Sequence, residues 1–245
     1  MKHHDQNWAV IIPMANEEAE LTTLCTLLAQ VFTELQSGKA FLVIDTVSTD
    51  NTLALAKTFS ASDTRFEVIW APQNRSVVDA YTRGYRAAYE NGYDLIIEMD
   101  ANLSHDPFTI PLFLEALDKG NECVFGSRFI EGGSMNDSPP LRKFLSYYGT
   151  VIANRLLATK LTDMTSGYQG FQREVVARIL EYRLKSTGHF FQTEIRYLLR
   201  NRTYKEVPIH YQAPSPRISF SSLKNAWSCL WYYSWQQLKG NRPAL

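Results

Sequence analysis

Cysteine is scarce in this chain. Cys25, Cys123 and Cys229 are the only three among 245 residues, they lie far apart, and none belongs to a C-x-x-C pair. That pattern excludes a disulfide framework and a zinc-finger ligand set, and it suits a reducing compartment. Long apolar runs are missing as well: no stretch approaches the roughly 18 residues of a spanning helix. The opening MKHHDQNW lacks the apolar centre of a signal peptide. A cytoplasmic protein that does not cross a membrane unaided is therefore expected. Neither charge is in excess, since 25 Lys and Arg balance 25 Asp and Glu. Without a basic surplus no nucleic-acid partner is expected, although local patches remain open. Repeats and low-complexity tracts are absent too, and 45% hydrophobic against 20% charged residues is the balance of a folded domain.

What is present is alternation. Ala9 to Pro13 (AVIIP), Ala40 to Asp45 (AFLVID), Phe66 to Trp70 (FEVIW), Asp94 to Asp100 (DLIIEMD) and Glu122 to Gly126 (ECVFG) are strand candidates. Between them, Glu17 to Gln36, Asp50 to Ser60, Ser76 to Asn91 and Pro107 to Lys119 show helical spacing. Such alternation predicts βαβ units and an α/β fold with a mainly parallel, Rossmann-like sheet flanked by helices. From about Ser134 the pattern turns helical, returns to a strand at Tyr204 to Tyr211, and ends in an aromatic segment. One domain spanning the whole chain is expected.

Parallel sheets bind ligands beyond the carboxyl ends of their strands. Asn16, Asp45 and Asp100 all fall just after predicted strand ends. For Asp45 and its DTVSTDNT octet, ordinary turn and capping chemistry is a sufficient reading. Asp100 and Asn102 at the same rim widen the choice, because a hard divalent cation bridging a diphosphate needs only one or two protein oxygens there.

Seven segments, IIPMANEE, VIDTVSTDNT, EMDANLSHDP, FGSRFIEGG, DMTSGYQGFQREV, HFFQTEIRYLLR and KEVPIHY, occur in the order and spacing of family 2 glycosyltransferases. The chain most closely resembles the polyprenyl-phosphate glycosyltransferases typified by dolichol-phosphate mannose synthase, over nearly its full length. The resemblance implies a GT-A fold, a GDP- or UDP-hexose donor, Mg²⁺ or Mn²⁺, and inverting transfer of a hexose onto a dolichyl or undecaprenyl phosphate. A nucleotide-sugar half over about residues 1–130 and an acceptor half over about 131–215 are expected, followed by a C-terminal helix over about 219–240 that is read from its own spacing.

By the same resemblance, Pro13, Ala15 and Glu17 belong to the first donor-binding loop, and Asp45 contacts the nucleoside. Asp100, Ala101 and Asn102 stand at the Asp-Ala-Asp that holds metal and diphosphate. Arg128, Arg142 and Ser146 match positions that grip the acceptor phosphate and donor sugar, and Arg217 matches a late phosphate-binding arginine. Gln192 and Glu194 match a Phe-Gln-x-Glu element that supports the site. Asp100 and Arg128 are the residues expected to carry catalysis.

Departures cluster on the donor side. Ala15 stands where the family has Tyr, Thr46 and Val47 where it has a second Asp and a small residue, Ser76-Val77-Val78-Asp79 where it has a Gly-Leu-Gly loop, and Gln169 where an Arg follows Ser-Gly-Tyr. Asp79 is expected to bring negative charge toward the diphosphate. Asn102 replaces the second metal acid; its carbonyl can ligate but adds no charge, so weaker metal binding is expected, with an Asx turn into the Pro107 helix as the other reading. His105 is read first as a brace for its loop, with a supporting place near the metal as the other reading. The losses leave two further functions open: a family 2 transferase with a soluble or protein acceptor, and a diverged non-catalytic member that binds a nucleotide sugar or a partner.

The C-terminal SFSSLKNAWSCLWYYSWQQLKG sets Trp227, Leu230, Trp231, Ser234, Trp235 and Leu238 at three- and four-residue steps, with Lys224 and Lys239 near the ends. An amphipathic helix rich in interface-seeking indoles is expected. Packing against the core or a partner competes with a place on the cytoplasmic membrane face, direct or through a membrane-embedded partner chain.

Overall fold

In a computed structural model, residues 7–136, 138–212 and 220–245 are described. Strands β1 (Trp8–Met14), β2 (Lys39–Ile44), β3 (Phe66–Trp70) and β4 (Leu95–Glu98) alternate with α1 (Leu21–Leu35), α2 (Thr52–Ser62) and α3 (Val77–Glu90). A 3₁₀ turn at Pro107–Thr109 leads into α4 (Ile110–Asp118) and β5 (Cys123–Ser127). Then come α5 (Pro140–Leu157), β6 (Gln169–Gln172), α6 (Arg173–Glu181), α7 (Phe191–Leu198), β7 (Tyr204–Pro208) and α8 (Phe220–Leu238). The seven strands form one sheet in the order β3-β2-β1-β4-β6-β5-β7. All neighbours are parallel except β6, which runs antiparallel to both β4 and β5.

The central strands read as continuous apolar runs because helices cover both faces. Val10, Ile12, Leu42, Ile44 and Ile97 enter one core with α1 and α4. Ala9, Ile11, Phe41, Val43 and Ile96, one position out of phase, enter the other with α3, α6 and α7. Gly84 is what lets α3 lie so close to the sheet, since a Cβ there would stand 2.1 Å from Ile11 Cγ2.

The first five predicted strands stand within a residue or two of their expected bounds, and the last, expected over Tyr204 to Tyr211, stops at Pro208; one correction matters more. β4 stops at Glu98, and Asp100 lies in the loop beyond it. β6 went unpredicted because QGFQ offers no aliphatic run; it is buried between neighbours all the same. Gly170 at its centre suits the tight fit, as a Cβ there would meet Phe113 at 3.2 Å.

Candidate active site

The first two rim loops are stitched together by short polar side chains. Asn16, in the left-handed region at φ 60°, donates through Nδ2 to the Val47 carbonyl, and its Oδ1 accepts from Thr49 N at 2.9 Å. Glu17 N donates to Thr52 Oγ1, and Glu18 accepts from Asn51. Asp45 is buried and accepts from Val47 N at 3.0 Å, so the octet does perform turn chemistry while bringing Asp45 to the rim. Pro13 ends up half-buried in β1, and Ala15 is exposed in the loop after it. Glu17 is raised to about 7, first by burial and then by the charges of Glu20, Asp100 and Asp50. That influence puts the loop after β1 within charge range of Asp100.

Asp100 is held from two directions. Its backbone N–H donates to His105 Nδ1 at 3.1 Å, and Tyr81 of α3 donates its hydroxyl to Oδ1 at 2.8 Å. With Nδ1 accepting, His105 carries its hydrogen on Nε2, 3.9 Å from Asp100 Oδ2. Burial depresses the imidazole pKa, which keeps it neutral. The ring stacks on Tyr168 at 4.7 Å. His105 is therefore a brace. The Asp100 side chain is 34% exposed, so it faces the crevice with solvent access. Ala101 is buried. Asn102 Oδ1 accepts from Ser104 N at 3.1 Å, an Asx turn, which leaves its carbonyl a second lone pair.

Those donors fit a hard divalent cation in one respect. Asp100 supplies one accessible carboxylate, the kind of ligand Mg²⁺ combines with substrate phosphates and water. No group of three His, Cys, Asp or Glu that could cage a metal occurs among the described residues, so any ion held here leans on its nucleotide.

Beneath Asp100 lies a residue that sequence reasoning did not nominate. Glu98 ends β4 two residues before Asp100, and Tyr85, one turn after Tyr81 on α3, donates to it. Gln169 Nε2 donates to Glu98 Oε1 at 2.7 Å and Gln192 Nε2 does so at 3.2 Å. The signal was an acid inside the apolar run LIIEM. Burial outweighs both amides and raises its pKa from 4.5 to about 8. In the folded protein it therefore keeps its proton where an unfolded chain has lost it, so stability declines as pH climbs from about 4.5 to 8 and levels off above. In Glu98→Gln the amide carbonyl accepts from both glutamines and the NH₂ donates to Tyr85. The variant should melt with wild type at pH 5 and above it at pH 9; parallel melting curves at both would show that Glu98 is ionised throughout.

The buried chain continues to the acceptor side. Gln169 Oε1 accepts from Arg196 Nε at 3.0 Å, and Arg196 donates to the Asp163 carbonyl. Burial lowers the Arg196 pKa to about 10, with Asp163 opposing. Gln169 thus joins Glu98 to the buried guanidinium of Arg196 on α7. Asp163 takes Arg128 in a fork, from Nε at 2.6 Å and Nη2 at 2.8 Å. Burial would raise the Asp163 pKa, but Arg128 and Arg196 bring it to about 2.

Arg128 was expected to offer that fork to a lipid phosphate. The structure spends it on Asp163, and the Arg128 side chain is 2% exposed. Nη1 is the guanidinium nitrogen without a hydrogen bond among the described residues. Arg128 and Arg142 nevertheless converge, their guanidinium carbons 5.6 and 5.9 Å from the centre of the Tyr211 ring. The Tyr211 phenol is raised chiefly by burial; Asp100 adds to the shift and both arginines oppose it. Asp100, Arg128 and Arg142 thus share one electrostatic neighbourhood.

Other nominated residues lie further off or elsewhere. Ser146 sits one helical turn after Arg142 on α5 and is buried. Gln192 reaches Glu98, but Glu194, two residues on and so across the helix, accepts from Lys185 N, Ser186 N and the Tyr233 hydroxyl. It ties α7 to α8 instead of supporting the rim. Asp79 caps α3: its carboxylate accepts from Arg75 N while its own N–H donates to Ser76 Oγ, which gives the charge a local use. Arg217 lies outside the described residues.

A mainly parallel sheet with helices on both faces and an accessible Asp100 at its rim fits a GT-A fold, and solved structures agree on the fold. Glucosyl-3-phosphoglycerate synthase from Mycobacterium tuberculosis in complex with uridine-diphosphate matches with a TM-score of 0.69 at 16% identity, over 93% of this chain and 80% of that one. The same protein with Mn²⁺, uridine-diphosphate and phosphoglyceric acid gives 0.66 at 16% identity, over 98% and 80%. The chain belongs to Glycosyl transferase family 2, whose profile matches residues 9–180, and it is a glycosyltransferase.

Among curated relatives, it is 34% identical over 172 residues to the undecaprenyl-phosphate mannosyltransferase of Micrococcus luteus, covering 69% of this chain and 70% of that one. It is 31% identical over 209 residues to the polyprenol monophosphomannose synthase of Mycolicibacterium smegmatis, covering 84% and 77%. To the dolichol-phosphate mannosyltransferase of Pyrococcus furiosus it is 31% identical over 171 residues, covering 69% of this chain and 47% of that one.

Proposed function

We propose that the protein transfers a hexose from a nucleoside-diphosphate sugar to a polyprenyl phosphate, with inversion at the sugar C1. The observation that carries this reading is the convergence of Arg128 and Arg142 on Tyr211 within charge range of Asp100. Donor diphosphate at Asp100 and an anionic acceptor at the arginines would then meet across one crevice. All three relatives bear the names of polyprenyl- or dolichyl-phosphate mannose enzymes, which supports mannose as the hexose and disfavours both a soluble acceptor and a non-catalytic role.

The chemistry asks little of a base. A lipid phosphomonoester is already an anion; one of its oxygens attacks C1 as the bond from C1 to the departing diphosphate breaks. Positioning and charge stabilisation supply most of the rate. Asp100 would hold Mg²⁺ or Mn²⁺, with Asn102 as a weak second ligand, and the ion when bound offsets charge on the leaving diphosphate. Asp163 aims Arg128, and both guanidinium groups lie near the Tyr211 ring. No helix among the described residues is long and apolar enough to cross a membrane.

Purified protein given a short-chain polyprenyl phosphate and labelled GDP- and UDP-hexoses should move label into the organic phase, acid-labile, and should move none with the corresponding polyprenol. Failure of every donor with nucleotide binding intact would defeat the lipid-phosphate reading. Restoring an acid with Asn102→Asp should tighten metal about tenfold, worth roughly 1.4 kcal/mol, because aspartate preserves the Asx turn and adds a charge. Unchanged metal affinity would assign Asn102 to the turn alone.

A further inference from the structure

Beside the sheet lies a cleft that gathers arginines without acids to neutralise them. The loop after β3 supplies Gln73, Asn74 and Arg75, and α3 adds Thr82, Arg83 and Arg86, around about 510 Å³ of space. Asp79 is the single acid of this lining, and its carboxylate accepts from Arg75 N at 2.8 Å. Elsewhere Arg65, Arg128 and Arg202 each meet a carboxylate, whereas none of the cleft's three arginines is in an ion pair among the described residues.

Arg83 is nevertheless held in place, by neutral groups. Its Nε donates to Asn74 Oδ1 at 3.3 Å. The Gln73 amide, turned with its oxygen toward the guanidinium, accepts from Nη2 at 2.6 Å and Nη1 at 3.0 Å. Amide oxygens fix the fork without cancelling its charge, so the group is oriented before any ligand arrives, which lowers the cost of binding one. Asn74 Nδ2, buried with no partner among the described residues, leaves a further donor beside the cleft.

The two sides of α3 serve different places. Tyr81, Gly84, Tyr85 and Ala88 are buried against the sheet, and Tyr81 and Tyr85 donate to Asp100 and Glu98. At 3.6 residues per turn, Asp79, Thr82, Arg83 and Arg86 fall on the opposite side. The cleft is therefore not part of the crevice at Asp100. Its volume lies within the roughly 300–1,000 Å³ of small-molecule sites, but no aromatic or aliphatic residue lines it. A lipid tail or a nucleobase finds nothing apolar to pack on. Guanidinium forks match phosphate oxygens, and three of them outnumber what one phosphoryl group can occupy.

We infer that the cleft on the outer face of α3 binds a compact anion carrying two or more phosphoryl groups, at a site separate from the donor crevice. The inference goes beyond the proposed function and stands or falls apart from it.

The test is calorimetry of the full chain with inorganic pyrophosphate in metal-free buffer at about 0.15 M ionic strength, where exposed charges more than about 8 Å apart are largely screened. Binding should saturate at one site, be tighter than that of inorganic phosphate, and persist in Asp100→Ala. Arg83→Gln and Arg86→Gln should each weaken it about tenfold, the loss of one charge-assisted contact. Arg86 is exposed, so its variant should melt like wild type and decides the matter even if Arg83→Gln folds poorly. Arg178→Gln, exposed on α6, removes the same charge elsewhere and should bind as wild type does. In Asp100→Ala, GDP and UDP should bind no more tightly than pyrophosphate; tighter binding would put a base in the cleft and overturn the assignment. So would the absence of saturable binding, its loss in Asp100→Ala, or an equal weakening by Arg178→Gln.

Discussion

Replacing Asp100 by alanine should stop turnover, by about 10³-fold or more, equivalent to roughly 4 kcal/mol of transition-state stabilisation. The size follows from how little else is there. Asp100 is the one acid of the Asp-Ala-Asn triplet, Asn102 is engaged with Ser104 N, and Glu98 is buried below the crevice and raised toward its neutral form by burial. In calorimetry the wild type should bind nucleoside diphosphate more tightly with Mg²⁺ or Mn²⁺ than with chelator, and the variant should bind it equally weakly in both. Folding should suffer little, since the lost partner of Tyr81 is one hydrogen bond, about 1 kcal/mol. Asp100→Asn keeps that bond and drops the charge, so it should fail in catalysis while melting like wild type. A metal-dependent nucleotide affinity that survived both changes would move the metal away from Asp100.

Asp163→Ala should be the most damaging single change to the fold. It strands Arg128 as an uncompensated buried charge, a loss of about 3–5 kcal/mol from the 5–15 kcal/mol typical of a whole domain. Asp163 is held at about 2, below the ordinary 3.8, so the pair stabilises fully above pH 3.8 and gives way as pH falls toward 2. Substituting both partners, Asp163→Leu with Arg128→Met, removes the Arg128 charge, though Arg196 still loses the support of Asp163, and should recover part of the melting temperature without restoring turnover. That contrast separates the structural use of the pair from its catalytic use; an active double variant would mean Arg128 has no part in the reaction. Arg128→Lys keeps charge and loses the fork to Asp163, so it should depress turnover and leave nucleotide affinity alone.

Much of the fold was legible because the parallel strands must be apolar on both faces, and AVII, FLVI and LII say so plainly. β6 was not, since a strand sandwiched between β4 and β5 can do without aliphatic residues when its glutamines find buried partners. Asp100 and the two arginines could be nominated from motifs, but their surroundings could not. Nothing local reveals that Arg128 spends its fork on a residue 35 positions away, or that Gln169 links Glu98 to Arg196. Asn102 had two readings, and the Asx turn is the one seen, without removing the other lone pair. In α8 the helical periodicity was visible, whereas the direction each residue faces depends on packing that periodicity does not encode: Leu230 is buried while Trp227, Trp231 and Trp235 are exposed.

The most direct test of the reaction is phosphorus NMR of the complete mixture: protein, Mg²⁺, GDP-mannose and a short-chain polyprenyl phosphate. The account predicts that the lipid phosphomonoester signal falls while a phosphodiester signal and free nucleoside diphosphate rise in equal amounts. The same should hold for another nucleoside-diphosphate hexose if the base or sugar differs. Release of nucleoside diphosphate with the lipid monoester unchanged, across a full panel of donors, would contradict it.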